Sequence, residues 1–397
     1  MFVGITNTPR DFAWGAPGAI SALLGGARSD AREAELWLGA HPGSPSRILE
    51  SAHVDGTPDL AAWIAAAPAV ALGPHATREP RLPFLLKVLA AASPLSLQAH
   101  PNAEQAAEGF ARENAEGIPI DAPERNYRDA YPKPEMIYAV SETMEALCGF
   151  RSARDVHRSI QRLLELDATT TDPELAAGPL HRWLEFTVDD TKIGPAFEWL
   201  ISGGSEVRKL VTRVVALARA NAGEFPDVVL LADAYPGDPG IVISLMLNRV
   251  SLRRGEAIYL PAGNIHAYLK GVGVELMTAS DNVLRGGLTG KHVDVPELLR
   301  VLDFRPLPVP YETATREGDS ILAFHPAGVD FELEVVTGAG AIRIDRAAIL
   351  LCTEGHFTVA GTNSAQSFAR GESFYVTPDE GDLAFTGQGT VFLATSR

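Results

Sequence analysis

Cysteine is almost absent from this 397-residue chain, which contains only Cys148 and Cys352. Two cysteines without a CxxC motif cannot form a thiolate zinc site by themselves, and they give no disulfide framework. We therefore expect two buried free thiols in a reducing compartment.

Targeting and membrane-spanning patterns are also missing. The first twenty residues lack a basic start followed by a continuous apolar core, so no signal peptide is expected. The most apolar stretch, AAWIAAAPAVAL, is interrupted by Pro68 and is too short to cross a bilayer. We therefore predict a cytoplasmic protein without a membrane partner.

Basic residues are scarce relative to acidic ones. The chain has 34 Lys and Arg against 50 Asp and Glu, which gives a net charge of −16. Binding to nucleic acid requires a basic face for the phosphate backbone, so no nucleic acid partner is expected. Against this acidic background, a local group of Lys and Arg indicates a small anionic ligand.

The residue pattern changes along a chain that is too long for one ordinary core. Residues 151–223 show helical patterns such as SARDVHRSIQRLLEL, with Ser152 and Asp155 in capping-box positions. An earlier helix, TPDLAAWIAAA, is predicted to be capped by Thr57. The segments on either side of the helical block alternate short apolar runs with Gly, Pro and Asn turns. We predict a mainly β fold with an α insert.

Regularly spaced short strands in the β regions indicate a barrel or jelly roll. Strands are predicted in DVVLLADAY, GIVISLMLNRVSL and VGVELM. The segment EAIYLPAGNIHAYLKG is predicted to form a hairpin with its turn at 262–264. Residues 1–150 plus 224–305 are assigned to one jelly roll, 151–223 to a helical insert, and 306–397 to a second, smaller β domain.

The segment SPLSLQAHP places polar side chains where a buried strand is expected. It follows an apolar run, 82–92, that contains one lysine, Lys87. Side chains alternate along a strand, so Ser96, Gln98 and His100 share one face. A polar face inside a barrel is costly unless it binds something. The alternative is a satisfied polar pair at a sheet edge, because the Q-x-H pattern is short and common.

The segment YPKPE contains a second candidate. Pro132 and Pro134 restrict the backbone, so Lys133 and Glu135 are presented rigidly. The alternative for this segment alone is an ordinary surface charge pair.

A third group lies near the end of the first β region. His266 follows the turn in LPAGNIHAYLKG, where a single histidine is more often structural than a metal ligand. Glu275 is a carboxylate in the apolar strand VGVELM and therefore needs a partner. Arg285 and Lys291 lie on the glycine-rich loop SDNVLRGGLTGK, where two cations either clamp an anion or are solvated.

Four of these candidates offer the nitrogen and oxygen ligands that zinc accepts. They are Gln98, His100, Glu135 and His266. Catalytic zinc more usually has three protein ligands, so a fourth requires the coordination shell to expand when water or substrate binds. Sequence spacing alone does not bring the four together.

Several long motifs occur in a fixed order: AELWLGAHPGSPS (34–46), LPFLLKVLAAASPLSLQAHPN (82–102), YPKPEMIYA (131–139) and YLPAGNIHAYLKGVGVELMTASDNVLRGGLTGKHVDV (259–295). Through them the chain resembles the type I phosphomannose isomerases, also called mannose-6-phosphate isomerases, over nearly its whole length. The segments AILLCTEGHFTVAG and ARGESFYVTP resemble that family's second cupin-like domain. The resemblance implies a cupin-type jelly roll for the catalytic domain and a smaller cupin-like domain at the C-terminus.

The resemblance also implies a reaction and a site. The reaction interconverts mannose 6-phosphate and fructose 6-phosphate through an enediol-type intermediate, with a small phosphosugar as the partner and a monomer as the expected state. One Zn²⁺ per chain is implied, bound by Gln98, His100, Glu135 and His266. Other implied site residues are Arg285, Glu275 and Lys133 for catalysis, and Ser96, Lys87, Lys291 and His41 for substrate binding.

Three points stay open at this stage. The proton-transfer base is either Glu275 or Lys133. Arg285 stabilises either the enediolate or the phosphate, whereas Lys291 is the first choice for the phosphate. His41, in GAHPGSPS, either lines the pocket or is a turn histidine.

Two other function classes compete with an isomerase. A cupin-type iron oxygenase would use two His and one carboxylate with open positions for oxygen, and Gln98 with the cationic residues fits it poorly. A sugar-phosphate-binding protein without catalysis is the other alternative, which Arg285 and Glu275 disfavour.

Overall fold

The computed structural model describes residues 1–76, 80–169 and 178–397. Within them the strands are β1 (Phe2–Thr6), β2 (Ala16–Pro17), β3 (Arg32–Glu33), β4 (Glu35–Leu38), β5 (Arg47–Ile48), β6 (Phe84–Ala91), β7 (Gln98–Ala99), β8 (Glu135–Ala139), β9 (Thr143–Phe150), β10 (Leu247–Arg253), β11 (Ala257–Leu260), β12 (His266–Thr278), β13 (Leu284–Arg285), β14 (Tyr311–Glu312), β15 (Thr315–Glu317), β16 (Ile321–Phe324), β17 (Phe331–Val336), β18 (Gly340–Arg343), β19 (Ala348–Ala360), β20 (Ala365–Ala369), β21 (Ser373–Val376) and β22 (Asp382–Ser396).

The α-helices of the described residues are α1 (Ala19–Leu23), α2 (Leu60–Ala66), α3 (Pro68–Ala71), α4 (Ala103–Ala115), α5 (Ala153–Ala168), α6 (Gly178–Glu185), α7 (Ile193–Ile201), α8 (Ser205–Ala220), α9 (Pro226–Ala234), α10 (Gly240–Ile243) and α11 (Val295–Val301). Short 3₁₀ turns lie at 51–54, 73–75, 190–192, 244–246 and 378–380. Among these described helices, none is long and apolar enough to cross a membrane.

One large sheet is built around the long strand β12. Its first residues pair with β9 and β7, and its last residues pair with β6 and β8. The register shifts between Tyr268 and Lys270, and Gly271 follows with a φ of 124°. A Cβ atom at Gly271 would lie 2.8 Å from the Cα atom of Met144, so only glycine fits this bend. Because of this bend, β12 pairs with β7 and β9 before Gly271 and with β6 and β8 from Gly271 onwards.

The second large sheet combines both ends of the chain. Its order is β15-β16-β17-β22-β19-β21-β1-β5, so the first strand pairs with C-terminal strand β21. Val3 and Ile5 are 3% and 1% exposed, and burial of these side chains stabilises the position of β1. The domain limits at 150, 223 and 305 stay a prediction, and β1 lies in the sheet formed by residues of the other predicted domain.

An apolar core fills the space between the two large sheets. The Trp63 ring packs edge-on against Tyr375 at 5.6 Å, and Tyr138 packs in the same way against Phe324 and Phe392. Cys148 and Cys352 were predicted to be buried free thiols, and both are buried and free of any disulfide bond. This packing fixes the sheet around β12, which carries the candidate site.

Two predicted strands are wrong because the chain is helical there. The segment DVVLLADAY forms α9, which starts at Pro226, and its buried residues Val228, Leu231 and Ala232 fall at helical spacing. The first part of GIVISLMLNRVSL forms α10 and a 3₁₀ turn, and only the part from Leu247 is a strand. Both segments pack into the apolar core of the helical block, which therefore continues to residue 246.

Other local predictions are corrected by pairing and capping. The predicted hairpin is wrong, because β11 and β12 do not pair with each other and β8 lies between them. VGVELM is the second half of β12, and only Gln98–Ala99 of SPLSLQAHP is a strand. The cap of α2 is Asp59, which accepts a hydrogen bond from the Ala62 N–H at 2.8 Å, and not Thr57. Ser152 caps α5 as predicted by accepting a hydrogen bond from the Asp155 N–H at 3.2 Å, but the Asp155 carboxylate accepts from the Ser152 hydroxyl group and not from its N–H, so the full capping box is not formed.

A buried carboxyl group in β17 predicts a stabilising substitution. Burial, followed by the charges of Glu332 and Glu317, raises the pKa of Glu334 to about 8. Its Oε2 atom has no hydrogen-bond partner in the described part of the chain. The folded carboxyl group keeps its proton where the unfolded one has lost it, so stability is lost as the pH rises from the unfolded value of 4.5 towards about 8.

Glu334→Gln is therefore expected to raise the free energy of unfolding near pH 8 by about 2–4 kcal/mol. Near pH 5 the variant and the wild type should differ little, because the folded wild-type carboxyl group is then protonated and neutral, like the amide of the variant. Urea unfolding midpoints at the two pH values measure the effect. A difference that does not change with pH would contradict the prediction.

Candidate active site

Three buried side chains from separate parts of the chain converge in the sheet around β12. His100 follows β7, Glu135 begins β8, and His266 begins β12. The Nε2 atoms of His100 and His266 each lie 3.4 Å from a different carboxylate oxygen of Glu135. One candidate ligand atom of each residue lies within 4.8 Å of the others. We call this group the His–Glu–His cluster.

Backbone carbonyl groups orient both imidazole rings of the cluster. The Nδ1 atom of His100 lies 2.8 Å from the Asn282 carbonyl oxygen, and the Nδ1 atom of His266 lies 3.0 Å from the Asn264 carbonyl oxygen. Each Nδ1 therefore carries a proton that it donates, and each Nε2 lone pair faces Glu135. The buried Nε2 atom of His100 has no hydrogen-bond partner among the described residues. An orphaned imidazole nitrogen beside a carboxylate fits a metal ion.

The electrostatics keep the cluster in the protonation states that a metal requires. Burial, followed by the charge of Lys133, lowers the pKa of His100 to about 4, so the imidazole is neutral. Burial raises the pKa of Glu135, but the charge of Lys133 together with the contacts of His100 and His266 outweighs it and holds that pKa well below its usual range. Lys133 Nζ lies 2.7 Å from a carboxylate oxygen of Glu135. Imidazole nitrogens and a carboxylate are zinc ligands of ordinary type.

Strand register places Gln98, the fourth predicted ligand, beside the cluster. Gln98 lies opposite His266 in the β7–β12 pair and opposite Arg285 in the β7–β13 pair. Its Nε2 atom is 3.3 Å from the Ser96 hydroxyl group, to which it donates, so its amide oxygen stays available. Gln98 also lines a small cavity of about 50 Å³ together with Glu135 and His266.

A larger cleft of about 570 Å³ opens beside the cluster. All four predicted substrate-binding residues and two of the three predicted catalytic residues line it, whereas Glu275 lines only the small cavity. Cationic side chains dominate its charged lining, with Glu35 and Asp281 as the carboxylates. The cations are Arg10, Lys87, Arg125, Arg128, Lys133, Arg285 and Lys291.

Glu275 and Lys87 form a buried ion pair below the cleft. They are opposite each other in the β6–β12 pair, with Lys87 Nζ 3.0 Å from Glu275 Oε2. The Tyr268 hydroxyl donates to the other carboxylate oxygen at 3.0 Å. Burial lowers the pKa of Lys87, but Glu275 and then Glu35 and Glu135 outweigh it and raise that pKa, so Lys87 is charged. The partner that the sequence required for Glu275 is therefore Lys87.

His41 is both a turn residue and a cleft residue. Its Nδ1 atom accepts a hydrogen bond from the Gly43 N–H at 3.1 Å, and its Nε2 atom lies 3.4 Å from Asp281 Oδ1. Its ring packs edge-on against Trp37 at 4.9 Å and lines the cleft. The sequence left open whether His41 lines the pocket or is a turn histidine, and its side chain does both.

Sequence reasoning missed Asn282, which connects the cluster to the segment before YPKPE. Its carbonyl oxygen faces His100, and its side-chain oxygen accepts hydrogen bonds from the N–H groups of Arg128 at 2.7 Å and Asp129 at 3.2 Å. Asn282 Nδ2 also donates to the Tyr131 carbonyl oxygen at 2.9 Å, and Asn282 is 0% exposed. Asn282 lies between Asp281 and Arg285 in the motif SDNVLR, and this position is the feature of the sequence that could have indicated its role.

Sequence reasoning also missed Asp238, in the helical block. Its carboxylate accepts hydrogen bonds from the N–H groups of Leu288 at 2.8 Å and Thr289 at 3.2 Å. Leu288 has a φ of 52°, a left-handed conformation that is unfavourable for leucine. Asp238 thus holds the strained loop that carries Lys291 into the cleft.

Comparison with known proteins identifies the family. A model of the type I phosphomannose isomerase catalytic domain matches residues 2–153. The mannose-6-phosphate isomerase of Salmonella typhimurium is 35% identical over 403 residues, with 97% of each chain covered. This chain belongs to the type I phosphomannose isomerase family. The human mannose-6-phosphate isomerase is a more distant member, 33% identical over 392 residues, with 90% of this chain and 88% of the human chain covered.

Solved structures of the family share the whole fold. A zinc-bound mannose 6-phosphate isomerase has a TM-score of 0.87 at 34% identity, and the alignment covers 100% of this chain and 99% of the other. The apo form from Salmonella typhimurium has a TM-score of 0.87 at 33% identity with the same coverage. The predicted family and the cupin-type, mainly β fold with helical segments are therefore confirmed.

Proposed function

We propose that this chain is a zinc-dependent aldose–ketose isomerase that interconverts mannose 6-phosphate and fructose 6-phosphate. The observation that carries the proposal is the orphaned Nε2 atom of His100 in the His–Glu–His cluster, beside a cleft with a cationic lining. Relatives named mannose-6-phosphate isomerase, alignable over almost the full chain, support the same reaction. The zinc-bound relative of the same fold supports the metal.

The residues present fit one zinc ion. His100, Glu135 and His266 would hold it, with the amide oxygen of Gln98 as the fourth ligand. When bound, zinc supplies a Lewis acid that polarises the sugar oxygens and stabilises the negative charge that develops on them. The remaining chemistry belongs to side chains of the cleft.

The geometry favours Lys133 over Glu275 as the group that moves the proton between C2 and C1. Lys133 lines the cleft and lies against the cluster through its contact with Glu135. Both carboxylate oxygens of Glu275 are occupied, one by Lys87 and one by Tyr268, and Glu275 does not line the cleft. We therefore assign proton transfer to Lys133 and assign Glu275 to holding the Lys87 ammonium group at the cleft wall. To accept the C2 proton, Lys133 must first be neutral, and a zinc ion bound by Glu135 would favour that state by replacing Lys133 as the partner of the carboxylate.

The remaining cations bind negative charge on the substrate. Arg285 is half-buried, and its backbone is paired with Gln98, so its guanidinium group is held near the cluster. It is assigned to the enediolate oxygen or to the phosphate nearby. Lys291 lies farther along the same loop, on the more exposed side, and is assigned to the phosphate.

A metal-removal experiment tests the proposed function. Zinc per chain is measured on the purified protein, and isomerisation of mannose 6-phosphate is followed by a coupled assay before chelation, after chelation and after zinc is restored. We expect about one zinc per chain, loss of activity on chelation and recovery with zinc. Unphosphorylated mannose serves as the control sugar and should be a poor substrate.

Each other outcome has a clear meaning. Full activity after thorough chelation would reject a metal-dependent mechanism. Absence of isomerisation with the metal site filled would favour a sugar-phosphate-binding protein. Oxygen consumption that depends on iron would favour an oxygenase.

The cellular location, the partners and the oligomeric state are predicted separately from the reaction. A monomer in the cytoplasm, without nucleic acid or membrane partners, stays the prediction made from the sequence. Its support is the net charge of −16 and the two unpaired cysteines. Sedimentation at several protein concentrations tests the monomer.

A further inference from the structure

We propose that Arg128 binds the phosphate of the substrate and completes, with Arg285 and Lys291, a three-cation clamp. The inference rests on the proposed function and adds a specificity residue to it. Arg128 lies five residues before Lys133 and lines the same cleft as the other two cations.

The three cations differ from the other cations of the cleft in having no partner for the charged group in the described residues. Arg10 has no carboxylate partner either, but its guanidinium group donates to the Gly43 carbonyl oxygen at 3.3 Å and lies over the Trp37 ring. Lys87 pairs with Glu275 at 3.0 Å and Lys133 with Glu135 at 2.7 Å. In the described ranges, the side chains of Arg128, Arg285 and Lys291 have no carboxylate within ion-pairing distance and donate no hydrogen bond. The unpaired cations therefore form a distinct group, which is available to an anionic ligand.

The three cations line the same cleft, and their like charges repel one another. Burial, then the charges of Arg285 and Arg128, lowers the pKa of Lys291. Burial, then the charge of Arg128, lowers the pKa of Arg285. Gathering three like charges at one wall of the cleft is unfavourable by itself, and a phosphate dianion placed among them offsets that cost.

The backbone that carries each cation is held by hydrogen bonds to other parts of the chain. Asn282 accepts a hydrogen bond from the Arg128 N–H at 2.7 Å. Asp238 holds the loop of Lys291 through the N–H groups of Leu288 and Thr289. Arg285 lies in β13, paired with β7. A clamp built on fixed backbone loses little entropy when it binds, which is the property expected of a binding site.

One acidic residue near the clamp needs to be considered. Burial raises the pKa of Asp281, but His41 and then the charges of Lys133 and Arg128 outweigh it and lower that pKa, so Asp281 is charged. Its carboxylate is 3.4 Å from His41 Nε2 and is not within 4 Å of Arg128. Asp281 thus reduces the net charge of the cleft by one without occupying the guanidinium group of Arg128.

The test compares Arg128→Gln with the wild type in three measurements on the zinc-loaded protein. They are the KM and kcat for mannose 6-phosphate, the inhibition constant of inorganic phosphate, and zinc per chain. Removing a charged hydrogen-bond donor to phosphate should raise KM and the phosphate inhibition constant by about tenfold to a hundredfold. We expect kcat to change by less than about threefold and zinc content to stay the same, because the interaction is uniform in ground and transition states.

Two further variants serve as controls. Arg128→Lys keeps the charge but loses the planar fork, so partial recovery of KM is expected. Arg154→Gln, an exposed arginine at the start of α5, should leave every value unchanged.

The outcomes separate this inference from the proposed function. Unchanged KM and unchanged phosphate inhibition in Arg128→Gln would overturn the clamp, and so would loss of zinc or of thermal stability in step with KM. Phosphate binding is also measured by calorimetry on the wild type and the variant, without turnover. Arg128-dependent phosphate binding in a protein that does not isomerise mannose 6-phosphate would support the clamp and overturn the proposed reaction.

Discussion

Replacement of His266 by alanine is expected to remove zinc and isomerase activity together, with kcat/KM lower by about a thousandfold or more. The imidazole of His266 supplies one of the three converging ligand atoms, and its loss leaves a gap in a buried site. Glu135 would then keep Lys133 as an ion-pair partner but would lose one of its two histidine neighbours. The measurements are zinc per chain and the coupled assay on the same sample.

A surface histidine provides the matched control for that experiment. His53 is 65% exposed and pairs only with Glu50 in the described part of the chain, so His53→Ala should keep both zinc and activity. The thermal unfolding of both variants without added metal checks that the fold is retained. His266→Ala with a full complement of zinc would show that His266 is not a ligand, whatever happens to the activity.

The residues of the His–Glu–His cluster could be selected from the sequence, although their convergence could not be predicted from it. Alternation along a strand put Gln98 and His100 on one face, and two prolines around Lys133 marked a rigid segment beside Glu135. These residues meet His266 because of the register between strands, and a single sequence does not specify that register. Arg128 and Asn282 escaped notice because their roles come from contacts across about 150 residues of chain, as in the 2.7 Å bond between Arg128 N and Asn282 Oδ1.

The wrong strand predictions have a physical cause as well. DVVLLADAY is a short apolar run rich in valine and leucine, and such runs fit a buried strand and a buried helix equally well. Pro226 at the first helical position and burial at Val228, Leu231 and Ala232 decide for the helix. The missing hairpin has a similar origin, because a tight turn after Leu260 allows pairing of its flanking strands but does not require it.

Five of the seven cations of the cleft form two classes that differ in their partners. Lys87 and Lys133 each have a carboxylate partner and are fixed in place before any substrate arrives. Arg128, Arg285 and Lys291 have none among the described residues, and their repulsion is relieved when an anion binds. In the proposed function, the first class lies beside the reacting carbons and the metal, and the second binds the phosphate. A chain of net charge −16 thereby concentrates positive charge where the ligand needs it.

Removal of Glu275 alone is the second substitution with a large expected effect. Glu275→Leu leaves the Lys87 ammonium group, which is 6% exposed, without the carboxylate that lies 3.0 Å away. A buried charge that loses its partner typically costs about 3–5 kcal/mol of unfolding free energy. We expect a loss of that size in urea unfolding monitored by circular dichroism, with zinc still bound in the native protein.

The double variant Glu275→Leu and Lys87→Met separates the ion pair from the packing. It removes both charges and fills the space with apolar atoms, so most of the lost stability should return, although the cleft then lacks Lys87. As a control, Asp382→Asn breaks the exposed pair between Arg343 and Asp382, whose side chains are 79% and 71% exposed, and should cost less than about 1 kcal/mol. A double variant no more stable than Glu275→Leu would show that Glu275 stabilises the sheet by some means other than its pairing with Lys87. Recovery of stability without recovery of isomerase activity is the expected pattern, because the pair then serves to hold a charge at the cleft wall rather than to hold the fold together.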